Sequence, residues 1–157
     1  MKRSTNRTKG YTLIELMVVV GIISLLLGLS LNGLYNLIQW SKLNRTAAIL
    51  SAELKNTQSR AFYEGVYYKL QFWPSLDRYR IYRQTVLVQD ITQDITLEDI
   101  DLFNTNFTDN NLYFYPNGVP SMGGTVTLKN KRGKILYVIM TPVTARVRIS
   151  QNPPDNW

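Results

Sequence analysis

The sequence predicts an α+β fold, in which one long N-terminal helix, transmembrane and then amphipathic, packs on a C-terminal antiparallel β-sheet domain. Residues 11–31 form an apolar run with a single charged side chain, and the helical spacing of apolar residues continues beyond that run. After residue 65, short segments rich in aromatic and β-branched residues alternate with turns that contain glycine or proline. These two patterns indicate the helix and the sheet.

The apolar run from Tyr11 to Leu31 is 21 residues long. At about 1.5 Å per residue, a helix of this length crosses the hydrocarbon core of a bilayer. The ten residues before it contain four cations and no acid: Lys2, Arg3, Arg7 and Lys9. The positive-inside bias therefore predicts a cytoplasmic N-terminus, with the C-terminal bulk outside the inner membrane.

A cleaved secretory signal peptide is the alternative interpretation of the apolar run. Such a peptide would end in a cleavage site of the A-x-A kind. Residues 29–43 contain no alanine, and helical spacing continues through Ala47 and Leu50 to Leu54. The pattern favours a helix that leaves the membrane and continues.

Glu15 is the only charged residue in the apolar run. A carboxylate in hydrocarbon is costly, so an acid within a membrane segment indicates a functional site that has a partner. The alternative is an acid that only reaches from the helix end to the membrane interface. Because Glu15 lies near the helix N-terminus, the helix dipole also favours its charge.

The helix is predicted to run from about Thr12 to Tyr63 or Glu64 and to end before Gly65. Apolar residues at helical spacing predict a stripe that packs beneath the sheet: Leu34, Leu37, Ile38, Leu43, Ala47, Leu50, Leu54 and Ala61. We therefore divide the chain into residues 1–10, a leader; 11–31, the membrane segment; 32–64, the amphipathic continuation; and 65–157, a β-rich domain.

The domain is predicted to begin with a β-hairpin. Residues 66–73 and 78–83 are strand-like and flank a turn at residues 74–77. Arginines 78, 80 and 83 in the second segment are interpreted as the charges that protect an edge strand. Residues 86–91 can add a further strand.

An acidic segment follows, with carboxylates at Asp90, Asp94, Glu98, Asp99 and Asp101. We interpret it as the solvated face of a loop or short helix. It contains no glycine, which a calcium-binding loop would require. A carboxylate pair for glycoside hydrolysis remains an open alternative that no other feature of the sequence favours.

Four further strands are predicted in the C-terminal third, at residues 112–115, 124–128, 135–140 and 145–150. They are joined by turns such as Pro116-Asn-Gly118 and the basic turn of residues 129–134. This spacing predicts an antiparallel sheet.

The composition excludes several kinds of site. The sequence has no cysteine and no histidine, which excludes disulfides, thiolate chemistry and imidazole catalysis or metal ligation. No cofactor and no metal site is predicted. The formal charge is +7, and it falls to +3 when the four leader cations are removed, so global basicity says little about nucleic acid.

The segment that begins Lys9-Gly10-Tyr11 and reaches Glu15 closely resembles the processing site and N-terminal helix of type IV pilins and of the pseudopilins of secretion and competence systems. The resemblance implies that a prepilin peptidase cuts between Gly10 and Tyr11 on the cytoplasmic side, and that Tyr11 is then N-methylated. It also implies that Glu15 acts in assembly, where the Tyr11 amine of a neighbouring subunit would neutralise it. Many pilins have a proline where this chain has Asn32, so no kink is predicted there.

The C-terminal third is similar to the globular domain of the pseudopilin H and FimT group of minor pilins. Some FimT-like pilins bind DNA through a C-terminal G-R-x-R segment, which corresponds to Ala145-Arg-Val-Arg148 here, with alanine in place of glycine. Alternation puts both arginines on one strand face, with Val147 and Ile149 toward the core. Candidate DNA-binding residues are Arg146, Arg148, Lys131, Arg132 and Lys134.

The function expected from the sequence is that of a structural subunit, a minor pilin or pseudopilin, and not an enzyme. The resemblance implies a prepilin peptidase, other pilin subunits, an inner-membrane assembly platform and membrane lipid as partners. A DNA-binding minor pilin for natural transformation is the alternative, and a membrane-anchored enzyme is a third hypothesis. The sequence does not distinguish pilus, type II secretion and competence systems.

Overall fold

The computed structural model describes residues 11–85, 87–142 and 144–154, and the side chains of residues 29–32 are not described. One helix precedes eight strands: α1 (Leu13–Glu64), β1 (Tyr67–Trp73), β2 (Arg78–Gln84), β3 (Gln89–Thr96), β4 (Ile100–Thr105), β5 (Asn111–Phe114), β6 (Gly124–Asn130), β7 (Ile135–Met140) and β8 (Val147–Ser150). The chain forms two compact units, which meet in the sequence between Leu37 and Ile38.

The first unit contains the apolar part of α1. Every side chain described between residues 11 and 37 is exposed. By length and composition, α1 is apolar enough to cross a membrane. An exposed helix of this composition needs an apolar environment to cover it, as the sequence predicts.

In the second unit, the remainder of α1 contributes one face to the core. Leu43, Ala47, Leu50, Leu54 and Ala61 are at most 1 % exposed, which confirms most of the predicted stripe. The helix ends at Glu64, and Gly65 takes the left-handed conformation (φ 65°) that suits glycine at a helix C-terminus.

The stripe prediction was wrong for its first three members. Leu34, Leu37 and Ile38 are 55, 63 and 44 % exposed. Among the described side chains of α1, the first buried one is Gln39, at 4 % exposure, so the core of the second unit covers the helix from there.

The strands form two four-stranded antiparallel sheets, in the orders β3-β2-β1-β5 and β4-β6-β7-β8. The predicted hairpin is confirmed as β1 and β2. The four C-terminal strands do not share a sheet as expected, because β5 pairs with β1 and places Leu112 opposite Leu70. Both of these leucines are fully buried. The apolar surface that they bury together stabilises the pairing of β5 with β1, so β5 joins the first sheet and not β6.

The segment Arg78–Gln84 is not an edge strand. β2 pairs with β1 on one side and with β3 on the other. The acidic segment, expected as a loop or short helix, supplies that outer strand and the start of β4. Arg80 lies directly opposite Asp94 and bonds to it at 2.8 Å, so the acids of β3 match the arginines of β2. Val86, in the strand expected over residues 86–91, lies outside the described residues.

Candidate assembly site and cationic surfaces

Glu15 lies in the first turn of α1, within the exposed apolar part of the helix. Its backbone N–H donates to the Thr12 hydroxyl at 3.3 Å, so Thr12 caps the helix. A threonine followed three residues later by a glutamate is the spacing of a capping box. The sequence analysis did not identify this cap, although the Thr-x-x-Glu spacing could have shown it.

Tyr11 directly precedes the cap and is 86 % exposed. It is four residues, or about one helical turn, before Glu15. Gly10 and the rest of the predicted leader lie outside the described residues.

The pair Arg146 and Arg148 is exposed at strand β8, an edge of the second sheet. Ala145 before it has φ 48°, a left-handed conformation that glycine adopts with less strain. The alanine at this position therefore keeps a glycine-like backbone. Val147 is buried as expected, but Ile149 is 41 % exposed because it lies near the end of the edge strand.

The basic turn between β6 and β7 does not join this arginine pair. The turn is adjacent to Ile135, where β7 begins, whereas Arg148 pairs with Ile139 near the strand's end. At about 3.4 Å per residue, these ends are more than about 13 Å apart along the strand. The five candidate DNA-binding residues therefore form two separate groups.

Asn130 fixes the conformation of the basic turn. Its buried side-chain Oδ1 accepts the backbone N–H groups of Arg132 at 3.0 Å and Lys134 at 2.9 Å. Gly133 supplies the left-handed residue of the turn (φ 77°). The Asn130 side chain also donates to the Gln39 carbonyl at 3.3 Å, which fastens the turn to the start of the buried part of α1.

Asp99 joins the same turn to the helix. It accepts hydrogen bonds from Lys131 and from Lys42, the latter at 2.7 Å. The bond from Lys131, followed by that from Lys42, lowers the pKa of Asp99 from its ordinary 3.8 to about 2. Lys134 lies over the Trp40 ring, 5.2 Å from its centroid.

A second polar cluster lies at the C-terminal end of α1. Glu64 accepts from Arg83 at 2.7 Å and from the hydroxyl of buried Tyr68 at 2.9 Å. The Arg83 hydrogen bond, and then the Tyr68 hydrogen bond, lower the pKa of Glu64 below its ordinary 4.5. Sequence reasoning did not find this cluster, because its members come from three different elements.

Two carboxylates of the acidic segment, Asp94 and Asp99, take part in such cross-element pairs. Asp94 contacts both Arg80, at 2.8 Å, and Arg78, at 3.7 Å. No group of three or more Asp and Glu side chains that could hold a metal ion is found within residues 11–85, 87–142 and 144–154. Asp94 and Asp99 thus lie in two different pairs, on β3 and beside the basic turn.

The family described as "Prokaryotic N-terminal methylation motif" matches residues 5–31. Among the curated proteins compared with this chain, none matches it in sequence.

Among solved structures, the chain is similar to the minor pseudopilin EpsH from the type 2 secretion system of Vibrio cholerae. The TM-score is 0.60 at 13 % sequence identity, and the match covers 69 % of this chain and 96 % of EpsH. At this identity, the likeness shows a shared fold. It confirms the expected arrangement of a long helix packed on an antiparallel β-sheet domain.

The motif also implies a single-pass membrane anchor, prepilin peptidase processing and other pilin subunits as partners in general. Pilins and pseudopilins are structural subunits. The chain therefore carries the N-terminal methylation motif over residues 5–31 and has a pseudopilin-like fold, the two features that link it to type IV pilins and pseudopilins.

Proposed function

We propose that this chain is a minor subunit, cut between Gly10 and Tyr11 and methylated at Tyr11, whose Glu15 pairs with the Tyr11 amine of a neighbouring subunit during assembly. The supporting observation is Glu15 itself, the only charged residue in an exposed helix segment of about bilayer length. The role is structural and involves no reaction catalysed by this chain.

The pairing has a physical rationale. Glu15 is in the first turn of α1, where unpaired backbone N–H groups and the helix dipole favour negative charge. In an apolar surrounding, a carboxylate still needs a cation. Cleavage after Gly10 creates that cation, an ammonium on Tyr11, so only processed subunits could supply it.

We further propose that the N-terminus is cytoplasmic before cleavage and that the second unit lies outside the membrane. Four leader cations and the absence of leader acids support this orientation. From there, an inner-membrane assembly platform would extract the subunit into an extracytoplasmic filament. Residues 1–10 would be the leader, 11–31 the membrane segment, 32–64 the helix continuation and 65–157 the globular part.

The experiment that tests this proposal is replacement of Glu15 by valine in the producing cell. Glu15→Val should leave cleavage after Gly10 intact, because the cut site is unchanged, and should strongly reduce the amount of subunit in sheared filaments. Cleavage is measured by mass spectrometry, and incorporation by immunoblotting of the filament fraction.

Ser24→Val is the matched control. Ser24 is also a polar residue of the apolar segment, but its hydroxyl donates to the Val20 carbonyl at 2.8 Å within the same helix. This control should assemble normally. Normal incorporation of Glu15→Val would contradict the pairing.

DNA binding, the alternative expected from the sequence, gains no support from the comparisons. Its five candidate cations fall into two groups at opposite ends of β7. Two exposed arginines on an edge strand also fit the simpler role of protecting that edge from pairing. We therefore do not propose it.

A further inference from the structure

We propose that Lys42, Arg45, Lys131, Arg132 and Lys134, here called the cationic patch, dock the second unit on anionic phospholipid headgroups of the membrane that anchors the chain. The inference rests on the proposed insertion and orientation. It assigns a role to the basic turn, which the filament proposal leaves unexplained.

The patch is assembled by the fold from distant parts of the sequence. Lys42 and Arg45 are three residues apart and lie on one side of α1. Lys131 reaches the same place because it and Lys42 both bond to Asp99. The Asn130 side chain holds Arg132 and Lys134 in the same turn.

The patch keeps a net positive charge despite its acids. Asp99 is shared by two of the lysines, and Glu98 lines a groove with Lys42, Arg45 and Asp99. Five cations against these two acids leave a net charge of +3. Arg132 and Lys134 are exposed, and so is Arg45. Such a surface is complementary to a layer of negatively charged headgroups.

The position of the patch along the chain favours a membrane as its partner. Lys42 comes five residues after Leu37, with which the exposed apolar unit ends. A chain anchored through that unit keeps Lys42, and the turn that is bonded to it, close to the headgroups. Because the chain is already held at the membrane, the headgroups are present at a high effective concentration, so weak contacts suffice.

Trp40 supplies a second interfacial feature. It is half-buried, at the start of α1 in the second unit, and carries Lys134 over its ring at 5.2 Å. Tryptophan is enriched at membrane–water interfaces, and the long side chain of a lysine can extend toward the polar layer there. By contrast, the exposed pair Arg146 and Arg148 lies at the opposite end of β7, which makes it a matched control.

The test uses the full chain in nanodiscs, of phosphatidylcholine alone or of an equal mixture with phosphatidylglycerol. The rate of lysine acetylation is followed by mass spectrometry. With phosphatidylglycerol at low salt, Lys134 should react at least about fivefold more slowly, since each cation near an anionic surface contributes roughly 1 kcal/mol. About 1 M salt should abolish the difference, because it shortens the screening length to roughly 3 Å.

Internal and mutational controls make the result specific. Lys55, about 20 Å farther along α1 than Lys42, should react equally fast in both lipids. Arg45→Gln with Arg132→Gln leaves every lysine in place and should bring the Lys134 rate with phosphatidylglycerol close to the rate with phosphatidylcholine alone, because two of the five cations are removed. The control Arg146→Gln with Arg148→Gln should leave protection unchanged.

Equal Lys134 rates in both lipids, equal slowing of Lys55, or equal effects of the two double variants would each overturn the proposal. Protection of Lys134 by duplex DNA but not by phosphatidylglycerol would assign the patch to nucleic acid instead. Failure of the chain to enter nanodiscs would contradict the proposed function as well. Insertion without Lys134 protection would contradict the docking alone.

Discussion

The side-chain amide of Asn130 donates a hydrogen bond to the backbone carbonyl of Gln39, 3.3 Å away and 91 residues earlier in the sequence. Asn130 is 2 % exposed and Gln39 is 4 % exposed. The bond connects the basic turn to the first buried residue among the described side chains of α1. It thereby fixes where the turn cations lie along the helix.

Replacement of Asn130 by alanine is expected to destabilise the second unit by about 2 kcal/mol. The change removes the bond to Gln39 and leaves two backbone N–H groups of the turn without their acceptor. Chemical denaturation of the full chain in detergent measures the loss. Asn56→Ala is the control, since Asn56 is exposed on α1. Equal free energies of unfolding for the two variants would contradict the role given to Asn130.

Glu64→Ala is expected to cost about 1–2 kcal/mol, because the buried Tyr68 hydroxyl loses its acceptor and Arg83 loses its partner. The pKa of Glu64 is lowered in the folded state, so its stabilisation is complete above pH 4.5 and disappears as the pH falls through the lowered pKa. Denaturation at neutral and at acidic pH should therefore show a difference between wild type and variant that shrinks with acid. Glu98→Ala, which changes an exposed acid, should show little difference at either pH.

Asp99 should titrate with a pKa of about 2, below its ordinary 3.8, when its carboxyl carbon is followed by NMR. Because the folded pKa is the lower one, the hydrogen bonds from Lys131 and Lys42 favour folding above about pH 4 and are lost between about pH 4 and pH 2. Lys131→Met should move the titration toward the ordinary value, since Lys131 makes the larger contribution. A wild-type Asp99 that titrates near 3.8 would show that these bonds do not form.

The parts of the fold that were predicted correctly are those that depend on neighbouring residues. Gly65 ends α1 because it can take a left-handed conformation one residue after Glu64. The β1–β2 hairpin follows from two strand-like segments around Pro74, and β7 coincides with its predicted residues 135–140. Each of these features needs only local chemistry.

The wrong predictions concern pairing between distant segments. Arg80 and Asp94 are opposite one another on β2 and β3, but neither residue identifies its partner in the sequence. The acids were therefore assigned to a loop, and β2 to a sheet edge. The partner of β5 could not be predicted for the same reason. Leu112 and Phe114 are buried opposite β1, which lies about 40 residues earlier in the chain, and nothing near β5 in the sequence identifies that strand.

The candidate sites show the same contrast. Glu15 was found because one acid in an apolar run is a local anomaly. The cationic patch is not visible as one surface in the sequence, because only the fold brings Lys42 and Lys131 to one carboxylate.

The central claim is that this chain enters a filament only after processing has created the amine that Glu15 requires. Mass spectrometry of the subunit recovered from assembled filaments tests this most directly. The claim predicts an N-terminus at methylated Tyr11, with residues 1–10 absent. Recovery of assembled subunits that retain Met1 would contradict it.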